Sequence, residues 1–106
     1  MAWFVLIVAG LLEVVWSLGL KLTQGFTRLV PSVITGAAIV LSMVLLGRAV
    51  RTLPIGTAYA IWVGIGVLGT TIGGAVLFNE PMPPLRIAFI GLLLVAIVGL
   101  KVTASA

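Results

Sequence analysis

The sequence predicts an all-α integral membrane protein with four transmembrane helices. Three observations lead there. Of 106 residues, 62% are hydrophobic and only 8% charged, fractions outside those of soluble domains. Four long apolar runs alternate with short segments rich in Gly, Pro and basic residues. No ten-residue alternation of the membrane-barrel kind occurs, and inside hydrocarbon a helix satisfies its own backbone polar groups.

The first span covers roughly 2–20. It lacks the basic leader and small-residue cleavage pattern of a secretory signal, so it is expected to remain in the protein. The second, 30–47, has Pro31 just inside its start; the third, 55–78, opens after Pro54; the fourth, 85–100, follows Pro81, Pro83 and Pro84. Proline is tolerated where a helix begins, because the first N–H groups have no helical partner. Each span is close to the ~17 to 25 residues that cross ~30 Å of hydrocarbon. The expectation is one four-helix domain over residues 1–106 with short connections.

Four crossings put both chain ends on one side with Arg48, Arg51 and Lys101, against Lys21, Arg28 and Arg86 on the other. Three against three gives no orientation bias, since the lysine and arginine difference normally decides insertion. A unit this small can hardly enclose a substrate path alone. An antiparallel homodimer is therefore expected, in which two oppositely inserted copies supply the inverted repeat that larger transporters carry in one chain. The alternative is a single orientation fixed by a weaker bias.

Composition also excludes much. The net charge is +4, but the six basic residues stand singly between apolar runs, so no stripe exists for nucleic-acid phosphates. Cysteine and histidine are absent, which removes disulfides, thiol chemistry and the usual soft metal ligands. Neither a metal nor an organic cofactor is expected. No nucleophile and base pair or phosphate-binding loop appears, so an enzyme is not expected either.

Glu13 lies near the middle of the first span. A charged group there costs roughly 2.5 to 3.5 kcal/mol to insert. Lys21 is eight positions on, or about 12 Å along a helix, too far to pair with it. A proton or cation site facing a protein-lined cavity is the functional reading; a purely structural hydrogen-bonding acid is the alternative. Ala9, Gly10, Trp16 and Ser17 share its face, offering room on one side and a π surface for a cation on the other. Glu80, the only other acid, stands beside Pro81 and is expected to be simply solvated.

In the third span Tyr59, Trp62, Gly66, Gly69 and Gly73 follow a 3, 4, 3, 4 spacing and form one stripe. Its aromatic half suits a carboxylate hydrogen bond and cation stacking; its glycine half suits either a packing groove or a hinge. Ser42 is the polar candidate of the second span, though a lone serine there usually bonds its own preceding turn. The fourth span has no central polar residue but carries Ala88, Gly91 and Gly99. A dimer contact is expected of it, with a lipid-facing role as the alternative.

The length, the four spans, the central Glu13 and the run Pro54-Ile55-Gly56-Thr57-Ala58-Tyr59-Ala60-Ile61-Trp62 together resemble the small multidrug resistance family across essentially the whole chain. Within it, Gly10-Leu11-Leu12-Glu13-Val14-Val15-Trp16 and Gly25-Phe26-Thr27-Arg28 resemble the guanidinium exporter subtype. The resemblance implies that Glu13 binds protons and substrate in turn, that Ser42 and Trp16 orient its carboxylate, that Trp62 borders the pocket and that Tyr59 serves gating and substrate contact. Gly10, Ser17 and Gly66 are further pocket or gating candidates. It also implies a proton-coupled antiporter of the bacterial inner membrane, paired antiparallel through its fourth helix, with guanidinium and protons as its ligands and the proton gradient as its energy source. Kept open beside it are a broader quaternary ammonium exporter, a dual-topology ion channel and a membrane assembly subunit.

Overall fold

The chain reverses direction at three short segments built from residues that helices use poorly. The computed structural model describes residues 1–103. It contains α1 (Ala2–Leu22), α2 (Leu29–Ala49), α3 (Ile55–Phe78) and α4 (Pro84–Thr103), each long and apolar enough to cross a membrane. Against the expected spans, α1 continues through Lys21 and Leu22, while α2 runs from Leu29 through Arg48 to Ala49. Hydropathy registers where lipid ends; the helix carries on past that point as long as its backbone bonds can form.

Thr23 ends α1. Its backbone N–H reaches the Gly19 carbonyl at 3.0 Å, its hydroxyl donates to the Leu20 carbonyl at 2.7 Å, and it accepts the Phe26 N–H at 3.2 Å. Gln24, Gly25 and Phe26 then all take positive φ, a left-handed passage in which only glycine is at ease. After α3, Asn79 adopts the left-handed conformation at φ 54°, which lets the Glu80 N–H return to the Gly74 carbonyl at 3.3 Å. Asparagine tolerates that geometry better than most residues. Pro84 opens α4 at a position where no N–H is needed.

α1 is the central element. It packs against α2 on one side and α3 on the other, whereas α2 and α3 meet only slightly and the α4 backbone lies close to α3 alone. Small residues set these approaches, as expected where lipid supplies no hydrophobic drive between helices. A Cβ at Gly19 would strike Thr35 of α2, and one at Gly69 or Gly73 would strike Val14 or Leu18 of α1. The glycine stripe of α3 is thus the groove that seats α1. Between α3 and α4, a Cβ on Gly64 would come within 2.6 Å of Ile97. α4 itself has no buried residue.

Two cationic side chains mark the two ends of the bundle. Lys101 sits 5.4 Å above the Trp3 ring, bringing the end of α4 to the start of α1. At the opposite end Lys21 donates to Glu80 at 2.9 Å and lies 4.8 Å over the Phe78 ring. This corrects the expectation of a merely solvated Glu80. The loop acid is ion-paired, because the turn at Asn79 folds it back over Gly74, where a Cβ would meet its carboxylate.

Candidate functional site

The site forms where the middle of α1 faces the middle of α3. Glu13 projects from α1 toward Gly66, whose missing side chain makes the space; a Cβ there would fall on the carboxylate. A cavity of about 250 Å³ is lined by Glu13, Ser17, Gly66, Val67, Thr70 and Thr71. Glu13 is its only charged group among the described residues. Larger hollows of about 370 and 290 Å³ lie beside Arg48 and Arg51 and between α1 and α2, but neither is lined by an acid.

The Oε1 of Glu13 and the indole Nε1 of Trp16 are both buried and have no hydrogen-bond partner among the described residues. A buried polar group without a partner is costly.

Ser42 was expected to orient the Glu13 carboxylate, or else to bond its own preceding turn. It does neither. Fully buried, it donates to the Ala9 carbonyl of α1 at 2.8 Å and accepts the Trp62 indole N–H at 3.1 Å. One hydroxyl thereby ties α1, α2 and α3 together and fixes the Trp62 ring. Trp16 likewise makes no bond to the carboxylate; its indole N–H has no acceptor among the described residues.

Tyr59 stacks at a tilt on Trp62, with ring centroids 5.6 Å apart, and is more than half exposed. Gly10 is buried against Ile65 of α3 and lines no part of the cavity, so its place is close helix packing. Ser17 does line it: its hydroxyl donates to the Val14 carbonyl at 3.1 Å and meets the hydroxyl of Thr70.

Sequence reasoning passed over Thr70, Thr71 and Val67. Thr70 lies four residues beyond Gly66, one turn along the same face; that spacing was the available signal.

The chain's likeness to known proteins follows the same outline. Residues 1–93 match the family described as Small Multidrug Resistance protein. The chain belongs to the small multidrug resistance family. Among relatives in this family, a protein named "Guanidinium exporter" from Citrobacter freundii is 54% identical over 103 residues, covering 97% of this chain and 98% of the relative. Proteins of the same name from Salmonella typhimurium strain LT2 and Escherichia coli strain K12 are 55% and 53% identical, over 98% and 97% of this chain and 99% and 98% of theirs. As a member of the small multidrug resistance family with four spanning helices, the chain is a multi-pass protein of the inner membrane.

Proposed function

We propose that this chain is a secondary transporter that exports guanidinium and small substituted guanidinium ions in exchange for protons, working as an antiparallel homodimer joined through α4. The observation that carries the reading is the Glu13 carboxylate, with a buried and unpartnered oxygen, in a cavity where it is the only charge. The relatives named as guanidinium exporters support the substrate.

Guanidinium is planar and, judged from the arginine side chain, cationic at any physiological pH, so it cannot cross lipid as a neutral species. A carboxylate matches its parallel N–H donors in a fork, and indole faces accept its plane. Glu13 supplies the first complement; neither Trp16 nor Trp62 lines the Glu13 cavity in this structure, so the second complement requires that one of these indoles face the cation in the transporting assembly.

One carboxylate holds either a proton or the organic cation, and that exclusion couples the two fluxes. Protonated and guanidinium-bound dimers reorient between the two membrane faces, whereas an empty site carrying bare charge reorients poorly. Export then follows from a proton moving inward. Protons and guanidinium compete for Glu13, so apparent guanidinium affinity falls as pH falls through the protonation of Glu13.

Purified protein in liposomes, driven by an imposed pH gradient, tests this. Guanidinium flux is expected, with Glu13→Gln abolishing it and tetraalkylammonium ions competing poorly. Full transport by Glu13→Gln would remove the carboxylate from the mechanism. Preference for tetraalkylammonium would favour the broader exporter.

A further inference from the structure

We propose that Glu80 is a second cation station on the guanidinium path, closed in this structure by Lys21, with the Ser17 and Thr70 hydroxyls as the constriction between it and Glu13. The inference rests on guanidinium being the transported ion.

The two acids of the chain lie along one seam between α1 and α3. The cavity at Glu13 includes Ser17 and Thr70, and the same two residues line a smaller cavity of about 100 Å³ together with Lys21, Phe78 and Glu80. The hydroxyl contact between Ser17 and Thr70 is where one space gives way to the other. Beyond it, the seam leads to the end of the bundle that carries the first and third connections.

The Lys21 ammonium places a cationic group at this mouth. It sits 2.9 Å from Glu80 Oε2 and 4.8 Å from the centroid of the Phe78 ring. A carboxylate beside an aromatic face offers an organic cation both a charge partner and a ring to lie on. A guanidinium ion presents a planar fork to the carboxylate where an ammonium presents a point charge, and it stacks better on a ring. It can therefore take Lys21's place.

Both members of the ion pair are about half exposed, at 55% and 46% of their side-chain surfaces. Exposed pairs hold weakly, which suits a contact that must open in every cycle rather than a fixed brace. Gly74 serves the station directly: its missing Cβ is what allows the Glu80 carboxylate to lie back across α3 toward Lys21.

The test uses the full-length dimer in liposomes. The natural chain contains no cysteine, so Lys21→Cys with Glu80→Cys creates one addressable pair per subunit. A reversible bis-methanethiosulfonate linker across that pair is expected to stop guanidinium flux, and reduction to restore the unlinked rate. Separately, Glu80→Gln is expected to slow flux about tenfold while equilibrium guanidinium binding at Glu13 changes less than about twofold, the signature of a step in passage rather than in binding. Unchanged flux in the linked protein, or in Glu80→Gln, overturns the station. A wild-type protein that carries no guanidinium at all, in the same vesicles, overturns the transport reading instead.

Discussion

At Ser42 one hydroxyl serves two partners, and removing it leaves both the Trp62 indole N–H and the Ala9 carbonyl to find others inside the protein. Ser42→Ala is expected to cost about 1 to 3 kcal/mol of subunit stability, read by denaturant unfolding in detergent micelles. A looser Trp62 should also weaken guanidinium binding. Gly66 gives a sharper case, because a methyl group there would occupy the place of the carboxylate. Gly66→Ala should keep the helix content by circular dichroism yet lower guanidinium affinity by about tenfold or more, as small misplacements at a site do. That Glu13 would stand inside the bundle was legible from the sequence, because an acid in the middle of an apolar run is placed poorly against lipid. The partners of Ser42 were not, since whether a hydroxyl turns to its own helix or to the next depends on how α1 and α2 approach each other. Thr71 illustrates the ordinary choice, donating to the Val67 carbonyl of its own helix at 2.7 Å, while Thr70 beside it meets Ser17.

Among the helices, α1 and α4 are opposites. α1 is gripped on two sides, so enlarging a residue in its groove should be felt throughout: Gly69→Leu would drive Val14 aside and separate α1 from α3. A destabilisation of about 1 to 3 kcal/mol is expected, typical of overpacked contacts, and the same unfolding measurement checks it. α4 presents Gly91 and Gly99 with nothing near the position of their missing side chains. If that face is where subunits meet, Gly91→Trp should shift chemical cross-linking from dimer to monomer and leave the subunit's helicity intact. Four spans could be read in advance because each is a long apolar run closed by proline, glycine or charge. The ends were less legible: Lys21 and Arg48 look like loop residues by composition, yet both stand in the last turn of a helix, where a basic side chain also suits the negative end of the helix dipole. The α3 stripe was legible as a stripe, but whether its glycines formed a hinge or a seat for α1 required the partner helix.

For the molecule as a whole, the basic residues divide evenly between the two ends, and the Lys21–Glu80 and Lys101–Trp3 contacts assign the ends to which those lysines belong. Balanced charge predicts that tags on the chain termini are reached from both sides of the membrane. Arg28→Gln with Arg86→Gln should unbalance insertion toward one orientation and reduce flux in proportion to the loss of mixed pairs, with flux returning when an oppositely biased variant is co-expressed. Whether and how two copies meet was not legible in the residues, because a single chain's pattern shows which surface is spare and not what covers it. That spare surface has a consequence in time. Every residue lining the Glu13 cavity precedes Pro84, where the one helix with no buried residue begins. During synthesis, which proceeds from the N-terminus, the ribosome has delivered the complete set of cavity-lining side chains while α4 is still unmade. A nascent chain halted after α3 should already shield Glu13 from aqueous reagents as well as the finished chain does.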